Sequence, residues 1–254
     1  MIPRNYLFLL SNLVLKDFRI RYRNMSLGIL WSLVNPLVMM GVLTFVFSKL
    51  VPTRQEHPYA VFVLCALVPF NFFTVSLLSS TTCVVDNYAL IKRVRFPREI
   101  VPISSVLSNC LHFLVQLVLL FTLVLAFGYL PNRHWIWLPV VWGFEILFVC
   151  GLALAASALD VYLRDIRYIV ESLNLVMFWL VPIFYSYGNI PQDFRLIYRL
   201  NPLSAVVFAT RDILLDARAP SFSLLSQLAA ISLLILAAGF FVFGRLKRRF
   251  ADYL

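Results

Sequence analysis

The residues of this 254-residue chain whose types and spacing could do chemistry fall into an intramembrane set and two basic clusters. Glu145 interrupts a long apolar run between Phe144 and Ile146. His112 and Gln116 stand four apart with Asn109 one turn earlier, so a helix puts them on one face. An ionisable group in such surroundings has to be neutral, paired or turned to water. Two readings stay open for this set: a polar patch in a translocation path, or a hydrogen-bonded contact between helices. The basic clusters are Lys16, Arg19, Arg21 and Arg23, and then Lys92, Arg93, Arg95 and Arg98.

Several familiar chemistries have no footing. There is no GxxxxGK[ST] phosphate loop, so energy from nucleotide would have to come from another chain. Nor is there a HExxH metal motif, a GxSxG elbow or an evident pair of catalytic acids, which argues against an enzyme of these types. Cys65, Cys83, Cys110 and Cys150 lie in apolar stretches without a CxxC pair, which supports neither zinc nor a disulfide framework.

The elements that must position these residues are membrane helices. Hydrophobic residues make up 61% and charged residues 13%, with mean hydropathy +0.87, whereas a soluble domain carries about 25% charge. The net charge of +10 would suit nucleic acid, but its basic residues cluster beside apolar runs, where orientation and anionic lipid account for them. No short apolar core precedes a small-residue cleavage site, so the first span is expected to stay as its own anchor.

Spans of about 20 apolar residues are expected at 27–50, 59–85, 101–129, 135–159, 168–187 and 222–244. The expected fold is thus an all-α integral membrane protein with six transmembrane helices in one permease domain, 1–254: an interfacial helix over 1–24 and a six-span core over 27–250. With the N-terminus inside, 15 of the 22 Lys and Arg residues fall on the cytoplasmic side, and both termini are cytoplasmic.

Residues 3–23 read as an amphipathic interface helix, with Leu7, Leu10, Val14, Phe18 and Tyr22 on one side and Asn12, Lys16, Arg19 and Arg23 on another. The alternation of Phe18, Ile20 and Tyr22 with arginines also permits a short strand, although a lone strand leaves backbone groups unpaired beside lipid. Residues 88–94 read as a short cytoplasmic helix before Phe96 and Pro97, suited either to receiving force from a soluble partner or to contacting anionic lipid. Asp160 and Arg164 have helical spacing for an ion pair.

After the fifth span, 203–215 is too short to cross, and Asn201-Pro202 supplies a helix start. A re-entrant or interfacial helix fits it, with a plain loop as the alternative. Trp135, Trp137, Tyr185 and Tyr187 fall near outer boundaries as an interfacial belt. Trp31, Phe178 and Trp179 have the flat amphipathic faces that stack on sugar rings, although helical phase cannot assign them to a channel.

RYRNMSLGILWSLVNPLVMMGVLTFVFS from Arg21, LIKRVRFPREIVP from Leu90, LDVYLRDIRYIVESLNLVMFWLVPIFYS from Leu159 and the later NPLS together resemble the membrane subunit of ABC-2 type polysaccharide exporters, the family carrying O-antigen or teichoic acid. The resemblance implies a half-transporter of a bacterial inner membrane. Two copies would form the channel, and two separate ATP-binding subunits would supply ATP and Mg, with no cofactor on this chain. It assigns ATPase coupling to Lys16, Arg19, Tyr88, Leu90, Lys92, Arg93 and Arg95. A cargo entrance for a lipid diphosphate falls on Arg19, Arg21 and Arg23. The channel candidates are Trp31, Glu145, Phe178 and Trp179, and a periplasmic gate falls on Asn201, Pro202 and Arg211. The implied cargo is a lipid-linked polysaccharide. Two alternatives are an ABC-2 exporter of a drug or small lipid, and a proton-coupled secondary transporter using Glu145 and His112.

Overall fold

A computed structural model describes residues 4–23, 28–50, 57–94, 96–189, 191–194, 198 and 200–253; Arg95, one of the expected coupling residues, lies outside them. Every regular element among the described residues is helical. In order these are α1 (Arg4–Tyr22), α2 (Trp31–Phe45), α3 (Tyr59–Thr81), α4 (Cys83–Asp86), α5 (Tyr88–Arg93), α6 (Ile100–Ala126), α7 (Leu138–Asp160), α8 (Ile166–Leu180), α9 (Pro202–Leu214), α10 (Phe222–Leu246) and α11 (Phe250–Tyr253). Short 3-10 and π turns extend several of them. Helix is the dictated choice, since apolar surroundings leave the backbone only its own N–H and C=O groups to bond.

Among the described residues, five helical stretches are long and apolar enough to cross a membrane: Gly28–Leu50, Tyr59–Thr81, Ile100–Ala126, Arg133–Asp160 and Phe222–Arg249. The expected crossing at 168–187 is shorter. α8 stops at Leu180 because Pro182 follows: Val181 turns to φ −80°, ψ 137°, the extended conformation a residue before proline prefers. The chain then runs irregularly through 181–186 with Val181, Ile183 and Phe184 buried.

α3 is the hub, packed by α2, α6, α7, α8 and α9. The most extensive pairing is α7 with α10, where small residues let the backbones touch. A Cβ on Gly151 would stand 2.6 Å from the Ile235 backbone, and one on Gly239 would strike the backbone of Gly151. α1 is a helix, so the strand alternative for its last residues does not hold, and it lies along α6 with Leu13 buried. Of the side chains expected on its apolar side, Leu7 is 55% exposed. Asn12, Lys16, Arg19 and Arg23 are exposed too.

Local signals explain several boundaries. α6 ends in a Schellman motif: Gly128 takes φ +88°, its N–H donates to Leu125 O, and Tyr129 N–H donates to Val124 O. Asn201 caps α9 by accepting from Leu203 N–H at 3.0 Å, with Pro202 at the first helical position. α7 ends at Asp160, so the helical spacing to Arg164 is lost; the ion pair that forms nearby is Arg167 with Glu171.

Candidate functional site

Among the described residues, α1 with the first basic cluster and α5 with Lys92 and Arg93 of the second are joined at one end of the bundle. α5 is anchored by Ile91, buried in a second apolar cluster with Cys83, Val84, Val101, Leu154, Phe243 and Phe250. Burial of Ile91 leaves Lys92 and Arg93 exposed on the far side, with Tyr88 and Leu90 half-buried. Lys92 Nζ donates to Tyr88 Oη at 2.7 Å, and Lys16 Nζ donates to Asn87 Oδ1 at 2.7 Å, tying α1 to the start of α5. Burial pushes the Asp17 carboxyl up from its ordinary value, against the opposing pull of Lys16. Arg19 and Arg23 point out, and Arg21 is half-buried.

The C-terminal end of α10 braces the same surface. Arg98 Nη1 donates to Lys247 O at 2.8 Å, Lys247 pairs with Glu99, and Tyr162 Oη donates to Leu246 O at 2.7 Å. Phe250 fills the space beneath, with Phe243 edge-on to it. Sequence reasoning missed this brace, whose partners are 84 to 149 residues apart.

A cleft of about 250 Å³ lies where α1 and α2 meet α3 and α6, lined by Arg21, Trp31, Asn35, Asn71, Asn109 and Gln116 among others. Asn109 Nδ2 donates to Ser79 Oγ and to Ser105 O, and Gln116 Nε2 donates to Ser32 O. His112 lines the same cleft and packs against Phe18. The polar face anticipated on α6 therefore forms, but it turns to α1, α2 and α3. Neither Asn109, His112 nor Gln116 bonds Glu145, which is 1% exposed with both carboxyl oxygens lacking a hydrogen-bond partner among the described residues.

At the other end, Arg211 of α9 is 6% exposed and pairs with carbonyls rather than with an acid. Its guanidinium donates to Phe62 O at 3.2 Å, Pro182 O at 2.7 Å, Ile183 O at 2.7 Å and Tyr185 O at 3.4 Å. It also lies 3.5 Å from the centre of the Phe62 ring. The carbonyls of 182, 183 and 185 need donors because the helix has stopped. Beside Arg211, His57 bridges Tyr129 Oη at 2.9 Å and Asp216 Oδ1 at 2.8 Å. Burial and the nearby Asp216 carboxylate push Asp212 up to about 6.

Aromatic rings gather at this end too. Phe178 and Trp179 both pack against Phe184, which stacks on Phe47 at 5.5 Å. Phe47, Tyr59 and Phe184 were not foreseen, since in sequence they are three more apolar residues among many. Trp31 lies in the amide cleft, so the four channel candidates do not share one surface: Phe178 and Trp179 form one group, while Trp31 and Glu145 stand apart from it. Among the described residues no group of three His, Cys, Asp or Glu side chains is placed to hold a metal.

A helical bundle carrying a short braced basic helix at one end, with a capped, buried helix at the other, is the frame of a membrane permease, and the chain belongs to the ABC-2 type transporter family, matching it over residues 9–215. It is 32% identical over 251 residues to the O-antigen export system permease protein RfbA of Klebsiella pneumoniae, covering 98% of this chain and 96% of the relative. The RfbA of Myxococcus xanthus is 31% identical over 250 residues, 97% of this chain and 95% of the relative. The polysialic acid transport protein KpsM of Escherichia coli is 22% identical over 232 residues, 89% of each.

Proposed function

We propose that this chain is the membrane subunit of an ATP-driven exporter that moves a lipid-linked polysaccharide out of the cytoplasm across a bacterial inner membrane. The observation that carries this reading is the near full-length likeness to two O-antigen export permeases, joined by a polysialic acid transporter. Hydrolysis belongs to two separate ATP-binding subunits that hold ATP and Mg, consistent with the lack of a phosphate loop here. Two copies of the chain enclose the path. The exposed apolar faces of α2 (Val38, Val42, Phe45) and α8 (Leu175, Val176, Trp179) suit contact with a second copy and with membrane lipid.

In this reading α8 with 181–187 makes a sixth crossing, both termini are cytoplasmic, and α1 lies in the cytoplasmic interface. α5 is the lever: Lys16, Arg19, Tyr88, Leu90, Lys92, Arg93 and Arg95 form the surface that meets the ATPase. Closure of the ATPase pair pushes α5, and the brace through Arg98 and Lys247 passes the push to α10. Arg19, Arg21 and Arg23 attract the lipid diphosphate at the entrance. Phe178 and Trp179 offer ring faces to passing sugars, with Trp31 and Glu145 as further channel positions. α9, set by Asn201, Pro202 and Arg211, is a re-entrant gate on the periplasmic side.

The test is co-purification with an ATP-binding subunit, followed by measuring whether its turnover rises with a lipid-linked glycan. Stimulation by the glycan and not by a drug-like amphiphile supports the reading. Transport that persists without any ATP-binding subunit sinks it. Lys92→Glu with Arg93→Glu should lower glycan-stimulated turnover at least tenfold while the folded yield stays unchanged.

A further inference from the structure

We propose that the amide-lined cleft between α1, α2, α3 and α6 is a binding site for a lipid-borne glycosyl phosphate, holding the sugar next to the phosphate. This deepens the exporter reading and rests on it for the source of the ligand. The cleft's chemistry is asymmetric. Asn109, 2% exposed, spends both amide N–H groups on protein oxygens and Gln116, 8% exposed, spends one, while Asn109 Oδ1 and Gln116 Oε1 are buried with no donor among the described residues. Buried acceptors without donors are costly, and a ligand bringing O–H groups relieves that cost.

Asn71 adds a third carboxamide with no hydrogen bond of its own among the described residues, and Asn35 adds a fourth nearer the rim. Arg21 lies between this cleft and a second one lined by Lys16, Asp17 and Asp86, and brings positive charge to the wall. The buried oxygens of Asn109 and Gln116 accept from hydroxyls and not from a bare phosphate, while Arg21 and the Asn71 amide N–H groups favour a phosphate beside them. The matching ligand carries hydroxyls and a phosphate on one short head. Trp31 and Phe72 supply ring and apolar surface for the sugar's C–H face. The volume of about 250 Å³ is the room of roughly eight waters at ~30 Å³ each, enough for a sugar ring and too small for a polymer.

The experiment uses the full chain in nanodiscs and measures dissociation constants by native mass spectrometry. The probes are dodecyl phospho-N-acetylglucosamine, dodecyl phosphate, dodecyl glucoside and phosphatidylglycerol. The conjugate is expected to bind at least tenfold more tightly than each of the other three. Asn71→Leu and Gln116→Leu should each weaken the conjugate about tenfold; Gln116→Leu should leave dodecyl phosphate unchanged, while Asn71→Leu and Arg21→Gln should weaken both phosphate probes. Asn71→Leu removes no side-chain hydrogen bond among the described residues, and unchanged thermal unfolding separates lost binding from lost folding.

Equal binding of phosphatidylglycerol and the conjugate overturns the proposal, because the cleft would then take any anionic headgroup. Unchanged conjugate binding in both leucine variants overturns it as well. If glycan fails to stimulate an ATPase partner and the cleft variants still lose the conjugate, the exporter reading falls and the site stands.

Discussion

α2 and α3 are neighbours of nearly equal hydropathy, and each belongs to a stretch of 23 residues able to cross a membrane, yet 6% of one apolar window is buried within the chain against 78% of the other. Hydropathy thus decides which helices suit a bilayer and leaves their neighbours undecided. Lipid tails are as apolar as Leu, so no hydrophobic force sorts α2 from α3 once both are inserted. What sorts them is close packing and polar bonding. α3 offers Phe62 O to Arg211 and Ser79 Oγ to Asn109. α2 offers few such handles and keeps Val38, Val42 and Phe45 on its outside. The same contrast separates the buried α9 from the exposed face of α8.

If the contrast is right, substitutions on the packed side should cost the folding of a single chain. Substitutions on α2 and α8 should instead cost assembly. The largest effect is expected for Gly239→Val, whose side chain would drive α10 off α7 at Gly151. Overpacking of a core costs roughly 1–3 kcal/mol when the surroundings can shift, and backbone lies opposite here, so expression with size-exclusion analysis should find little folded protein. Next comes Arg211→Met, which leaves the carbonyls of 182, 183 and 185 without donors at about 1–3 kcal/mol each. The unfolding midpoint should fall by at least roughly 6 °C, and Arg211→Lys, lacking the planar fork, should not restore it.

A smaller effect should follow pH. Asp212 has a folded pKa near 6 against an ordinary 3.8, so the folded state holds its proton more tightly. Stability should therefore fall as pH rises from about 4 to about 6 and level off above, and Asp212→Asn should flatten that slope in thermal melts. The smallest change in chain stability, within about 0.5 kcal/mol, is expected for Val38→Ala with Leu175→Ala. The same pair should lower the dimer fraction by native mass spectrometry. An unchanged dimer fraction would mean that these faces meet lipid alone.

Much of the frame could be read from the chain. Apolar run lengths marked five helices long enough to cross, Asn201-Pro202 marked the start of α9, and the position of α5 followed from a short segment before Phe96 and Pro97. Pro182 was an equally plain signal for the end of α8, but continuous hydropathy through 187 hid it. The site was less legible, because it depends on pairs distant in sequence. His112 and Gln116 did share a face, but nothing in helical phase says that α1 and α2, rather than α7, lie opposite. The anomaly of Glu145 was visible and its isolation was not. Bonds from Arg211 to 182 and 183 depend on a chain reversal that periodicity does not encode.

Arg211 completes the corner that follows α8. Its fork of N–H groups does for 182, 183 and 185 what a further turn of helix would have done, so the chain can bend there and still keep these three carbonyl dipoles turned inward. The outward side of the corner is left to rings, with Trp179 61% exposed and Tyr185 half-covered. The corner therefore presents ring faces outward while its carbonyls are spent on the guanidinium within.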